Sequence, residues 1–217
     1  SFLTTKEFAK TRNADLITVD IEESYGMGIP LLSKTIRRVP CSGCGLSKRY
    51  ILNKEAYERD FTVVAMGHNL DDEAATLLGN ILHWEISSLA RQSPSLPSKG
   101  DNLISRVKPL YTMTEREVAA NAILRGISYI EEDCPNSIGA KSIIYKEAID
   151  SIELNSPGTK HSLVSGFLDR IRPMMETSQD DFQLKDCSIC GQPTTSETCS
   201  FCRMWNNAHQ KATSKDS

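Results

Sequence analysis

No run of apolar residues in this chain approaches the roughly 18 needed to cross a bilayer. Nor does a basic-then-apolar leader stand at the start, where Ser1-Phe2-Leu3-Thr4-Thr5 runs straight into an amphipathic stretch. These absences lead to the expectation of a soluble, cytoplasmic protein with no membrane partner. An excess of positive charge is missing too, since 25 basic residues face 28 acidic ones for a formal net charge of -3. The whole molecule is therefore no electrostatic sink for nucleic acid, and any RNA contact must come from local basic patches. No internal repeat is visible. What remains is 217 residues of ordinary hydrophobic content, enough for one core and a small appended module.

The chain does carry seven cysteines. An odd count argues against a secreted disulfide framework, and paired C-x-x-C spacing argues for metal or sulfur chemistry in a reducing compartment. Cys187-x-x-Cys190-Gly191 and Cys199-x-x-Cys202 are two knuckles separated by eight residues, each turn aiming two thiolates at one tetrahedral ion. Gly191 relieves the turn after the second ligand. The pattern predicts a zinc ribbon, against the alternatives of paired disulfides or a redox dithiol. So short a stretch has almost no apolar core, and the metal is expected to supply most of its folding free energy, in an architectural or RNA-contacting role. Upstream, Cys41-Ser42-Gly43-Cys44-Gly45 is followed by Lys48-Arg49, cations that favour thiolate. By spacing alone that pair is a metal site, a redox pair or a merely buried pair.

Residues 14–19 read as a strand, and 61–66 more clearly so, because an apolar run with β-branched residues ends at Gly67. Gly67-His68-Asn69-Leu70-Asp71-Asp72 then leads into the helical spacing of Glu73-Ala74-Ala75-Thr76-Leu77-Leu78. Thr114-Glu115-Arg116-Glu117 is a capping box that starts a helix through Leu124, closed by Gly126 and followed by a strand over 127–130, with Cys134 just beyond. Alternating strands and helices predict an α/β fold, a parallel sheet covered by helices, with ligands outside the carboxyl ends of the strands. Gly67 to Asp72 and Cys134 both fall there. Residues 91–102 and the break at Ser156-Pro157-Gly158 read as loops. The expected organisation is an α/β catalytic domain over 1–175, a linker over 176–186, the zinc ribbon over 187–205 and a tail over 206–217, disordered from Lys211 on.

Pro40-Cys41-Ser42-Gly43-Cys44-Gly45 with Lys48-Arg49, Gly67-His68-Asn69-Leu70-Asp71-Asp72-Glu73-Ala74, Arg106-Val107-Lys108-Pro109-Leu110, Cys134-Pro135 and the terminal knuckles together resemble the tRNA 2-thiolation enzymes. These form a branch of the PP-loop ATP pyrophosphatase superfamily, and the nearest branch is the one that thiolates 5-methyluridine at position 54. The resemblance runs from about Asp15 to Trp205, with several motifs in the family's order. It implies that Cys41, Cys44 and Cys134 hold a [4Fe-4S] cluster through three irons, leaving the fourth open to an incoming sulfide. A competing account gives the same cysteines a persulfide and a resolving thiol.

In such enzymes ATP adenylates the uracil C2 oxygen and sulfur displaces AMP. The resemblance gives Asp72 a place near the nucleotide, for Mg²⁺ or for positioning the base, and Lys48 the stabilisation of developing negative charge. Gly67, His68 and Asn69 become nucleotide contacts, and Cys41 and Cys134 join Lys48 and Asp72 as catalytic residues. Read locally, Asp71, Asp72 and Glu73 are ordinary first-turn helix carboxylates, and His68 is a turn hydrogen-bonder. The implied partners are tRNA, a ubiquitin-like sulfur-carrier protein and, since this family often forms dimers, a second copy of the chain. Lys34 to Arg38, Arg106 and Lys108 are candidates for gripping phosphates, or else a solvated basic face. The family's phosphate loop, Ser-Gly-Gly-x-Asp-Ser, and its N-terminal zinc module do not occur in these residues, so a fragment of a longer enzyme is expected. The other readings are thiolation at position 34 or 32, and a zinc-containing RNA-binding module without catalysis.

Overall fold

The computed structural model describes residues 2–37, 39–98, 102–132, 134–176 and 184–213. In chain order come α1 (Phe2–Thr11), α2 (Ile21–Tyr25), α3 (Ile29–Ile36), α4 (Pro40–Glu58), β1 (Val63–Ala65), α5 (Leu70–Leu82), α6 (Ile86–Ala90), β2 (Ser95–Leu96) and β3 (Ser105–Val107). Then follow α7 (Glu115–Leu124), α8 (Lys141–Asn155), α9 (Thr159–Gly166), a π-helical turn (Phe167–Ile171), α10 (Arg172–Glu176), β4 (Lys185–Asp186), β5 (Pro193–Thr194) and α11 (Ser200–Thr213). The class is α/β, rich in helix. β1 and β3 pair in parallel, Val64 opposite Arg106, and β2 joins the far side of β3 antiparallel.

The start signals are read faithfully. Pro40 stands at the first helical position of α4, where its missing N–H costs nothing. Asn69 and Thr114 both close capping boxes, Asn69 with Asp72 and Thr114 with Glu117. Two expected strands do not form. Residues 14–19 and 127–130 have strand composition but pair with nothing among the described residues, and Leu16, Ile17, Tyr129 and Ile130 stay exposed. A strand needs a neighbour to take its backbone hydrogen bonds, which composition alone cannot supply. The loop expected at 91–102 contributes β2, and the linker expected at 176–186 contributes β4, with 177–183 outside the described residues. The expected tail is instead helix as far as Thr213, with Ala208 fully buried, and 214–217 lie outside the described residues.

Two cores organise the chain. One gathers Leu70, Ala74, Ile149 and Val164 from α5, α8 and α9, continued by Leu77, Leu89 and Phe167. Gly79 lets the Tyr145 ring lie so close to α5 that an added Cβ would meet it at 2.7 Å. The other core joins the two ends of the sequence. Phe201, Met204, Trp205 and Ala208 of α11 pack with Met27 and Leu32 and with Cys187, Cys199 and Cys202. Tyr50 of α4 stacks on Phe201 with centroids 3.7 Å apart, and Tyr25 meets the same ring edge-on at 5.1 Å. The cysteine-rich end is therefore not without an apolar core, as its length suggested; α11 buries one against α2, α3 and α4.

Candidate metal centre and active-site rim

The β4–β5 hairpin, with Lys185 opposite Thr194, brings the two knuckles together. Gly191 takes φ +70° and donates its N–H to Cys187 O at 2.9 Å, the turn that the sequence called for. The sulfurs of Cys187, Cys190, Cys199 and Cys202 all lie within 4.8 Å of one another, and all four are free thiols. Cys190 and Cys199 sulfurs stand 3.8 Å apart, the separation that a tetrahedral ion with bonds of about 2.3 Å imposes. Burial pushes the Cys187 thiol up, but backbone N–H groups of Cys199, Ile189 and Cys190 outweigh it and bring it down to about 6. Burial holds Cys199 and Cys202 above the usual thiol range. Four thiols so close cannot all ionise without a cation among them, and four soft donors at this spacing fit zinc. Burial, and then a hydrogen bond to Cys190, raises the Tyr50 phenol, so α4 touches this centre with a polar group as well as a ring.

Cys41 and Cys44 sit in the first turns of that same α4, three residues apart and so on one face, with Lys48 one turn further along it. Gly43 between them is buried, its missing Cβ 3.6 Å from Leu32 and 3.9 Å from Met204. Cys41 Sγ donates to Asn136 O at 3.5 Å. Asn136 lies in a tight turn that Ser137 closes, its N–H at 2.9 Å and its hydroxyl at 2.7 Å from Cys134 O. The structure thus brings the Cys134 turn against the start of α4. Among the described residues these three sulfurs do not close to the spacing of a single ion, as the terminal four do. A four-iron cluster uses a different iron for each ligand and separates them further. Cys134 is exposed, and Cys41 and Cys44 are partly buried. Three thiols at an open rim suit such a cluster.

Gly67, His68 and Asn69 form the turn from β1 into α5, Gly67 and His68 exposed and Asn69 buried as its N-cap. Each acid in the first turn of α5 takes a lysine from a different part of the chain. Asp71 and Lys160 are both buried and 2.5 Å apart, Lys160 also reaches Asp150, and Asp71 accepts the Glu115 N–H at 2.8 Å. Asp72 meets Lys146 at 2.8 Å, and its other oxygen accepts the Asn69 N–H at 3.2 Å. Glu73 is buried and holds Lys108 at 2.7 Å. Asp71 and Glu73 are thus structural clamps, while Asp72 stays partly open. Lys108, expected as a phosphate grip, has its charge taken by Glu73. Lys34 in the last turn of α3 and Arg37 at its C-cap are exposed, and Arg38 lies outside the described residues.

No family model matches the chain. It is 50% identical over 208 residues to the tRNA-5-methyluridine(54) 2-sulfurtransferase of Thermus thermophilus, covering 96% of this chain and 64% of that protein. This chain is a relative of the tRNA 2-thiolation enzymes. A second tRNA-5-methyluridine(54) 2-sulfurtransferase, from Pyrococcus horikoshii, is 46% identical over 200 residues, 92% of this chain and 63% of that one. The solved structure of the U34-tRNA thiolase NcsA from Methanococcus maripaludis with its [4Fe-4S] cluster matches at a TM-score of 0.79 and 28% identity, over 95% of this chain and 64% of that chain. The chain thus spans just under two thirds of the thiolation proteins that it matches.

Against the thiolation motifs, sequence reasoning missed Lys146 and Lys160. Both lie on helices far along the chain from α5, and no local spacing marks them. The one available signal was that three adjacent acids in a first helical turn repel one another unless cations come to meet them.

Proposed function

We propose that the protein of which this chain is part is an ATP-dependent tRNA sulfurtransferase that makes 2-thio-5-methyluridine at position 54. The observation that carries this is the contact between Cys41 and Asn136, which brings the Cys134 turn to the α4 face bearing Cys44 and Lys48. In this reading Cys41, Cys44 and Cys134 hold a [4Fe-4S] cluster, which when bound supplies an open iron for the incoming sulfur. Lys48, exposed on the same face, meets the negative charge that builds on the activated uracil. Asp72, held by Lys146 and the Asn69 N–H, serves Mg²⁺ or the base, and Gly67, His68 and Asn69 border the ATP. The four terminal cysteines hold zinc, which fixes α11 against α4. Substrate tRNA, a ubiquitin-like sulfur carrier and a second copy of the chain are the partners, in the cytoplasm; no helix of the described residues is long and apolar enough to cross a membrane.

The test is anaerobic incubation of the reconstituted full-length gene product with ATP, Mg²⁺, sulfide and unmodified tRNA, followed by mass spectrometry of the nucleosides. The expected product is 2-thio-5-methyluridine, and its position is read by mapping. Absence of any thiolated nucleoside rejects the activity; a thiolated residue at 34 or 32 keeps the chemistry and corrects the target.

A further inference from the structure

On α4, residues 45, 49 and 53 lie one turn apart on a single face. Asn53, at the inner end of that row, is buried and clips the helix to the segment entering β3. Its amide donates to Asn102 O at 2.9 Å, and its carbonyl accepts the Ile104 N–H at 3.1 Å. The chain reverses between α4 and β1, and β3 runs parallel to β1, so α4 and β3 run in opposite directions. From this clip, one turn back along α4 is Arg49, about 6 Å away. Two residues forward along β3, about 6.6 Å, is Arg106. The same clip therefore brings both arginines to one place, on the way from Asn53 to the Cys41–Cys44 turn.

Arg49 is exposed and folds over Gly45, with Nη1 3.3 Å from where a Cβ would stand, and Arg106 is half-buried on the sheet opposite Val64. Among the described residues neither guanidinium has a carboxylate at ion-pair distance. Partial desolvation lowers both below the usual arginine range, and the charge of Arg49 lowers Arg106 further. Two neighbouring like charges repel when no counter-ion stands between them, and the neighbouring lysines Lys108, Lys146 and Lys160 all have their acids. Paired guanidinium forks match a tetrahedral oxyanion, each able to bind two of its oxygens.

We infer that Arg49 and Arg106 form a phosphate-binding site next to the Cys41–Cys44 turn, taking a phosphate carried either by a nucleotide or by an RNA backbone. The site needs no metal, so its test is independent of thiolation. The purified chain is titrated by calorimetry with pyrophosphate, with AMP and with a short unmodified RNA hairpin, and compared with Arg49→Ala, Arg106→Ala and the double variant. At least one ligand is expected to bind tenfold or more weakly to each single variant. The double variant should lose little beyond the weaker single, because one anion needs both forks. Loss confined to pyrophosphate and AMP assigns the phosphate to a nucleotide, and loss confined to the hairpin assigns it to RNA. The free variants should melt at or above the wild-type temperature, since a repulsion has been removed. Should a variant melt lower, the Arg49→Lys and Arg106→Lys forms replace it; they keep the charge without the fork and should still bind several-fold more weakly. Wild-type binding by the variants, or no binding of any of the three ligands by the parent chain, overturns the inference.

Discussion

The two groups of cysteines differ in what assembles them. The terminal four stand within 4.8 Å of one another, with Cys187, Cys199 and Cys202 buried in a core that includes Phe201, Met204 and Trp205. The upstream three lie at a rim, two on α4 and one on a turn whose Asn136 carbonyl accepts the Cys41 thiol. Packing against α2, α3 and α4 surrounds the first group. The second is held mainly by the elements beneath it. A centre folded into a core answers to architecture, and one left at an open edge is reachable by substrate.

Breaking the first group should therefore have the largest effect on stability. Cys199→Ser removes one of the four thiols proposed to hold zinc, and a structural zinc contributes on the order of 10 kcal/mol to folding in small domains. We expect loss of zinc and collapse of the near-ultraviolet dichroism of Trp205, with Tyr25 and Tyr50 freed along with it. Next comes the floor beneath the rim. Lys160→Met leaves Asp71 buried without its cation and should cost about 3–5 kcal/mol in urea unfolding. Burial alone would lower the Lys160 ammonium, but Asp150 and Asp71 outweigh it and raise it. A raised lysine stabilises fully below the ordinary value near 10.4 and ceases to as pH climbs through the folded value. The wild type should thus lose stability in that alkaline window, and Lys160→Met should lose less there. At the rim itself Lys146→Met should cost under about 1 kcal/mol, because Lys146 and Asp72 are partly solvated. Smallest of all, Cys134→Ser should change the melting temperature of the iron-free protein hardly at all, since exposed positions tolerate substitution within about 0.5 kcal/mol.

Much of this was legible in the residues. The two knuckles with Gly191, the capping boxes at Asn69 and Thr114, and the strand ending at Gly67 are local signals, written within a few positions of the structure that they make. The strands expected at 14–19 and 127–130 failed because pairing is not local. Likewise the apolar stripe of α11 could be read only once its partners, Met27 and Leu32, were known to come from the opposite end of the chain. The lysines that meet the α5 acids were hidden for the same reason. Lys108 comes from just past β3, Lys146 from α8 and Lys160 from α9, and only the fold turns three adjacent carboxylates into three ion pairs. The cysteines at the rim were legible as residue types, but the approach of the Cys134 turn to α4 joins Cys41 and Asn136, 95 positions apart.

The most direct test is the metal content of the chain after anaerobic reconstitution with iron, sulfide and zinc, measured for wild type and for Cys134→Ser. The account predicts one zinc and about four irons per chain in the wild type, with zinc retained and iron lost in the variant. A wild type that takes up zinc but no iron, or a variant that keeps its full complement of iron, contradicts it.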